Sequence, residues 1–210
     1  MKVIAVNGSP HANGNTAASI KTVFAELEAA GIETEILNIG SSEIIGCRGC
    51  GACLKSGHCA FADTAFDGWV EKLNQADGIL LASPVYYGNM TGNMKSFLDR
   101  FFYQNRRHGN LRFKVGASLA VTRRSGAIPT VISLDRYLQG AEMILVPNAS
   151  PNIVFGNKPG EALLDEEGMD SLSRLGRNMV WLLRTLNCAQ EQIPQPEKQR
   201  RKFMNFIRPE

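Results

Sequence analysis

Three short apolar runs, each ending at turn-forming residues, constrain the fold of this chain most strongly. The runs are Val3–Val6, Gly78–Pro84 and Val115–Val121. A continuous apolar run of this length is typical of a strand that is buried on both faces, as in parallel sheets. Between the first two runs, residues 16–31 carry apolar side chains at the i, i+3, i+4 and i+7 positions of an amphipathic helix. Buried strands that alternate with such helices predict a parallel sheet covered by helices.

Weaker patterns complete an α/β domain. They predict a second strand over 33–39, a short fifth strand over 143–146, and further helices over 64–75, 94–101, 128–138 and 172–186. We therefore expect residues 1–188 to form one doubly wound domain, a five-stranded parallel sheet with helices on both faces. In such sheets ligands bind beyond the carboxyl ends of the strands. The remaining residues, 189–210, hold five Lys or Arg against three Glu, and we interpret them as a basic extension that contacts a second subunit.

Composition and charge exclude several classes of function. The 210 residues carry a formal net charge of +3, which is too small to indicate binding to nucleic acid or to a membrane surface. No run of about 18 apolar residues is present, so we expect no transmembrane helix. The N-terminal sequence lacks the apolar region of a signal peptide. We therefore expect a cytoplasmic protein in a reducing compartment, where disulfides are improbable.

The loop after the first strand, residues 8–16 (GSPHANGNT), has the composition of a phosphate-binding loop. A helix N-terminus presents backbone N–H groups that attract an anion, and small hydroxyl and amide side chains add donors. The loop has Asn15 where a Walker motif has lysine, and it lacks the G-x-G-x-x-G of dinucleotide-binding loops. It suits one terminal phosphate, although a Gly- and Asn-rich turn with a Ser or Thr cap has the same composition.

Two further loops lie at the predicted ligand edge. Residues 84–89 (PVYYGN) follow the third strand and offer two aromatic rings and a glycine that permits close approach of a flat ligand. Residues 122–126 (TRRSG) follow the fourth strand and offer cations and hydrogen-bond donors. A flat ring between these loops, with its phosphate in the first loop, describes FMN. The arginine pair in the last loop suits a solvated strand end equally well.

Four of the five cysteines, Cys47, Cys50, Cys53 and Cys59, lie within thirteen residues. Their spacing, C-x2-C-x2-C-x5-C, begins like the cluster-binding run of bacterial ferredoxins and can bring the thiolates to one iron–sulfur cluster. Zinc sites generally use two C-x2-C pairs, or one pair with histidines, so zinc suits this spacing less well. Reduced thiols with a packing or redox role are a third alternative. We expect the fifth cysteine, Cys188, in the core.

Several of these stretches make the chain resemble a known family. They are GSPHANGNT (8–16), SPVYYGNMTGNMKSFLDR (83–100) and the four-cysteine stretch, with a weaker match in EEGMDSLSRLGR (166–177). The chain resembles the flavodoxin-like NAD(P)H-dependent FMN reductases, including the iron–sulfur flavoproteins, and their quinone reductase cousins of the tryptophan-repressor-binding-protein type. The resemblance covers roughly residues 1–187. It implies a flavodoxin-like sheet of order 2-1-3-4-5, FMN as cofactor, and a homodimer or homotetramer.

The resemblance also implies a set of site residues. For FMN it implies contacts from Ser9, Asn13, Asn15, Thr16, Ala17, Pro84, Val85, Tyr86, Tyr87, Gly88, Asn89, Thr122, Arg123 and Ser125. For a [4Fe–4S] cluster it implies Cys47, Cys50, Cys53 and Cys59 as ligands. We predict no catalytic side chain, because the predicted loops hold no serine–histidine–acid set and no paired carboxylates. This agrees with chemistry that resides in the cofactor.

The function that the resemblance implies is that of an FMN-dependent oxidoreductase. NAD(P)H would give hydride to the flavin, and electrons would pass to a quinone, another small acceptor or the cluster. One alternative is an electron-transfer protein with FMN and [4Fe–4S] that turns over NAD(P)H poorly and takes electrons from ferredoxin. Another alternative is a non-flavin binding protein stabilised by zinc.

Overall fold

The computed structural model describes residues 1–108, 111–189 and 192–198, and six strands within these ranges form one sheet. The strands are β1 (Lys2–Asn7), β2 (Glu33–Asn38), β3 (Gly78–Pro84), β4 (Val115–Thr122), β5 (Ile144–Leu145) and β6 (Ile153–Phe155). All pairings are parallel, in the order β2-β1-β3-β4-β5, and β6 also pairs with β4. The flavodoxin-like order 2-1-3-4-5 is thus confirmed.

The fifth position of the sheet is divided between two short strands. β5 pairs with Val115 and Gly116 at the start of β4, and β6 pairs with residues 120–122 at its end. Pro147 and Pro151 lie in the segment between them. Because proline has no backbone N–H to donate, it interrupts a ladder of this kind. The sequence pattern predicts the first of the two strands and misses the second.

Helices cover both faces of the sheet. They are α1 (Asn15–Ala29), α2 (Cys53–Ser56), α3 (Thr64–Gln75), α4 (Gly92–His108), α5 (Ala127–Gly140) and α6 (Glu166–Ala189), with a 3-10 helix over Glu161–Leu164. The one-turn helix α2 and the 3-10 helix are not predicted by the sequence, which has no helical periodicity over so few residues. Among the described residues, no helix is both long and apolar enough to cross a membrane.

Alternate residues of the central strands face opposite sides and build two apolar cores. In β1, Val3 and Ala5 pack under α1 and α6, whereas Ile4 and Val6 pack under α3, α4 and α5. All four side chains are fully buried. Burial on both faces is the physical reason for the continuous apolar runs in the sequence.

The end of the domain differs from expectation at Cys188. This residue is exposed, because α6 has no buried residue in its last turn, so the prediction of a core position is wrong. Residues 192–198 return to the body of the domain, where Nη1 of Arg112 donates to the carbonyl oxygen of Pro196. Most of the predicted extension, 189–210, lies outside the described residues, and its contact with a second subunit stays a prediction.

Phe97 lies at the centre of an aromatic cluster on the α3 and α4 side. Its ring stacks on Phe101 with 5.7 Å between centroids and meets Phe66 and Trp69 edge-on. We expect Phe97→Ala to lower the free energy of unfolding by about 3–5 kcal/mol, because it leaves a cavity in a closely packed core. Urea unfolding followed by circular dichroism measures this loss.

Leu164→Ala provides the control, because Leu164 is 78% exposed at the end of the 3-10 helix. Removing its side chain should change the free energy of unfolding by less than about 0.5 kcal/mol. Equal losses in the two variants would contradict the packing described for Phe97.

Candidate functional site

The loops that follow β1, β2 and β3 pack on one another at the carboxyl edge of the sheet. Oγ1 of Thr91 donates to the Gly8 carbonyl oxygen at 2.8 Å, and the backbone N–H of Thr91 donates to Ser83 Oγ at 3.1 Å. Gly40, just after β2, lies so close that a Cβ there would be 2.1 Å from the carbonyl oxygen of Ser9. The first loop is therefore held from two sides.

The loop after β4 continues this edge. Gly126 has a φ of 85°, and a Cβ there would lie 2.7 Å from Cα of Gly88, so the loops after β3 and β4 touch. Only glycine combines this backbone angle with such a close approach. On the other side, the backbone N–H of Gly156 donates to the Thr122 carbonyl at 3.0 Å.

Asn15 completes a ring of contacts by holding residues 158–162 against the start of α1. Its Nδ2 donates to the Lys158 carbonyl at 2.9 Å, and its Oδ1 accepts from the backbone N–H groups of Gly160 at 2.9 Å and Ala162 at 3.3 Å. Both polar atoms of the side chain thus bind backbone, and the expected contact of Asn15 with a phosphate stays a prediction. The backbone N–H of Asn15 stays available to an anion at the helix start.

The first turn of α1 is open to an anion. Its N-cap, Gly14, has no side chain that could cap the helix, so the N–H groups of residues 15–17 lack a partner within the helix. Ser9 is 6% exposed, and its Oγ accepts from the backbone N–H of His11 at 3.2 Å. An uncapped helix start beside a buried hydroxyl has the donors and the partial positive charge that bind a phosphate.

The other expected phosphate ligands lie on two different surfaces. Thr16 is buried in the first turn of α1, whereas Asn13 is exposed at the loop. Asn13 and Ala17 line a groove that is bounded on its far side by Leu163. Ala17 has only its backbone N–H to offer a phosphate.

The turn after β3 presents two aromatic rings to solvent. The backbones of Tyr86 and Asn89 pair across it, with Tyr87 at a φ of 48° and Gly88 at 82°. Tyr86 is half exposed and Tyr87 fully exposed, while Nδ2 of Asn89 donates to Ser133 Oγ at 3.2 Å. The turn leads directly from Pro84 and Val85, which are half-buried. Aromatic rings on a tightly hydrogen-bonded turn form a surface on which a flat ligand can stack.

The loop after β4 is ordered by its first residue. Thr122 is buried, and its Oγ1 donates to the Ser125 carbonyl at 2.7 Å and accepts from the backbone N–H of Arg124 at 3.3 Å. Arg123, Arg124 and Ser125 are exposed, and neither arginine forms an ion pair with any described residue. The loop therefore places two uncompensated positive charges next to the aromatic turn.

The four clustered cysteines line one cavity, which Arg100 and Tyr103 of α4 also line. Cys47 and Cys50 are exposed, Cys59 is half-buried, and Cys53 is buried at the start of α2. Burial raises the pKa of the Cys53 thiol, and the nearby thiols of the other three raise it further. The four thiols thus share the lining of a single cavity.

Helix α4 forms a wall of this cavity. Nε of Arg100 donates to Cys59 Sγ at 3.4 Å, and Oε1 of Gln104 accepts from the Cys59 backbone N–H at 3.1 Å. Within the described ranges, no three His, Cys, Asp or Glu side chains approach closely enough to hold a single metal ion. A [4Fe–4S] cluster is held by four Cys thiolates, and four cysteines line this cavity.

Four residues that shape these sites are missed by sequence reasoning. Oδ1 of Asn7 accepts from the Ser9 backbone N–H at 3.0 Å, and a polar residue at the end of a buried strand is a signal that could have found it. The other three are Thr91, Arg100 and Gln104. In that part of the sequence, only the spacing of the apolar side chains predicts structure, and it predicts a helix. Nothing in the sequence marks their polar side chains as buried.

The chain matches a known protein family over most of its length. The family described as NADPH-dependent FMN reductase matches residues 1–158, about three quarters of the chain. An iron-sulfur flavoprotein of Methanocaldococcus jannaschii is 31% identical over 194 residues, which cover 89% of this chain and 99% of that protein. An iron-sulfur flavoprotein of Methanosarcina thermophila is 32% identical over 188 residues, covering 87% and 95% of the two chains.

Solved structures agree on the fold. RosB, solved with 8-demethyl-8-formylriboflavin-5'-phosphate, superimposes with a TM-score of 0.71 at 18% identity, covering all of this chain and 95% of RosB. The apo NADH:FMN oxidoreductase EMOB superimposes with a TM-score of 0.60 at 20% identity, covering 88% and 89% of the two chains. The family match and the relatives agree with the ring of loops and the uncapped start of α1. The chain belongs to the NADPH-dependent FMN reductase family and is a flavin oxidoreductase.

Proposed function

We propose that this protein binds FMN, takes hydride from NAD(P)H and passes the electrons to a quinone, another small acceptor or an iron–sulfur cluster. The observation that carries the proposal is the ring around the uncapped start of α1, which consists of the loops after β1, β3 and β4 and of residues 156–162. The family match supports FMN as the ligand of that ring. The same match argues against a non-flavin protein stabilised by zinc.

The phosphate of FMN would bind at the start of α1. The open N–H groups of residues 15–17 supply donors, and Ser9 adds a hydroxyl beside them. The side chain of Asn15 supports this site indirectly, because it fixes the segment 158–162 against the same helix turn. The partial positive charge of the helix start attracts the phosphate dianion, so the site does not need a lysine.

The isoalloxazine ring would lie between the turn after β3 and the loop after β4. When bound, FMN supplies a ring that accepts hydride at N5. The turn offers Pro84, Val85, Tyr86, Tyr87, Gly88 and Asn89 as its lining. Thr122 and Ser125 hold the second loop in shape, and the charges of Arg123 and Arg124 would stabilise the negative charge of the reduced ring. The chain needs no acid or base of its own for this chemistry.

The cysteine cavity supports an iron–sulfur cluster as the next electron carrier. Cys47, Cys50, Cys53 and Cys59 would be its ligands, and two relatives named iron-sulfur flavoprotein favour this assignment. Four cysteines in one cavity also favour the second candidate, an FMN and [4Fe–4S] electron-transfer protein that turns over NAD(P)H poorly and exchanges electrons with ferredoxin.

A second copy of the chain would complete the flavin site. Tyr87 is fully exposed beside the site, and Ile128 and Ile132 are exposed one turn apart on α5. Apolar side chains grouped at a ligand site are typical of surfaces that contact another protein. We therefore propose a homodimer or homotetramer.

Gly14→Asp tests the phosphate site. An aspartate at this N-cap should stabilise α1, because its carboxylate can accept from an open N–H group, yet it places negative charge where the phosphate binds. Gly14→Asn is the matched control, since asparagine caps equally well without charge. We expect FMN to bind the Asp variant at least about tenfold more weakly than the Asn variant, a difference of about 1.4 kcal/mol. Flavin fluorescence titration of the apoprotein measures both, and equal affinities would contradict a phosphate at this helix start.

Steady-state oxidation of NADH and NADPH, with ferricyanide or a quinone as acceptor, separates the two candidate functions. The reductase predicts turnover with at least one nicotinamide, because hydride transfer to flavin is its first half-reaction. Absence of turnover with both, alongside normal reduction of the flavin by ferredoxin, would favour the electron-transfer protein.

A further inference from the structure

Arg100 is a buried cation held in one orientation beside the cysteine cavity. It is 5% exposed. Its Nη2 donates to the Phe61 carbonyl at 2.8 Å, and its guanidinium carbon lies 3.9 Å from the centre of the Phe66 ring. Its Nε donates to Cys59 Sγ at 3.4 Å. The backbone and ring contacts thus fix the direction of the N–H bond to sulfur.

No carboxylate of the described chain balances this charge. None of the ion pairs formed among the described residues includes Arg100. Burying a guanidinium without a counter-charge is costly, and a ring face and a carbonyl oxygen compensate only in part. A second hydrogen bond of the Arg100 guanidinium goes to the sulfur of Cys59 at 3.4 Å. A negative charge held by the cysteines would therefore compensate the guanidinium.

We propose that Arg100 is a positioning residue that balances the charge of an iron–sulfur cluster bound by the four cysteines and raises its reduction potential. This inference rests on the proposed function, in which Cys47, Cys50, Cys53 and Cys59 bind the cluster. A cluster with four thiolates is anionic and gains one more negative charge on reduction. A buried positive charge and an N–H bond to a ligand sulfur both stabilise the reduced form more than the oxidised form.

A purely structural role for Arg100 makes a different prediction. In that case its contacts with Phe61 and Phe66 would matter only for stability, and the cluster potential would not follow the charge at this position. The reduction potential therefore distinguishes the two roles, whereas loss of activity would not.

The test compares Arg100→Gln and Arg100→Lys with Arg48→Gln in anaerobically purified, FMN-loaded protein. Arg48 lines the same cavity but is exposed, with its guanidinium 4.6 Å from the centre of the Phe61 ring. Its charge is screened by solvent, so it controls for the loss of one positive charge from the cavity. An EPR-monitored redox titration gives the cluster potential, and the flavin potential from the same titration serves as an internal reference. Iron and sulfide are measured on each sample.

We expect Arg100→Gln to lower the cluster potential by more than Arg48→Gln does, with Arg100→Lys between the wild type and Arg100→Gln, and with the flavin potential unchanged. Full cluster content with a potential equal to the wild type in both Arg100 variants would overturn the inference and leave the proposed function intact. If Arg100→Gln binds no cluster, the uncharged variant Arg100→Met decides: a lowered potential supports the inference and a wild-type potential refutes it. A wild-type protein with FMN but no iron or sulfide would refute both the inference and the cluster assignment.

Discussion

Burial of the parallel sheet on both of its faces is the constraint on which the rest of this structure depends. Helices cover the two faces, so only the edges of the sheet can bind a ligand, and the carboxyl edge collects the loops after β1, β2, β3 and β4. Hydrogen bonds and glycine contacts join these loops to one another, and residues 156–162 close the ring against the start of α1. A ligand at this edge therefore meets a surface that is already organised, which lowers the cost of binding.

Helix α4 connects this edge to the cysteine cavity. At its start, Nδ2 of Asn93 donates to the carbonyls of Gly40 and Ser42, which belong to the loop after β2. About two and three turns further on, Arg100 and Gln104 hold Cys59. The apolar side of the same helix lies in the core. A single rigid element thus fixes the position of the cysteine loop relative to the flavin edge.

The sequence predicts most of the fold because burial on two faces leaves a strong pattern. The observed β3 begins and ends at the predicted residues, Gly78 and Pro84, since apolar content and the terminating proline both mark it. The contacts of the Asn15 side chain could not be predicted, because its partners lie more than 140 residues away, where local pattern carries no information. Arg100 was missed because an arginine in an amphipathic helix is usually solvated. Its burial follows only from tertiary packing on the cysteine loop.

The central claim is that one chain holds a flavin at the sheet edge and an iron–sulfur cluster beside α4. The most direct test is the visible spectrum of protein purified without oxygen, with FMN, iron and sulfide determined per chain. The account predicts the two absorption bands of a flavin with a broad shoulder that bleaches on reduction, one FMN, and about four irons with matching sulfide. Flavin absorption without iron would contradict the cluster, and a colourless protein that takes up no FMN on reconstitution would contradict the account as a whole.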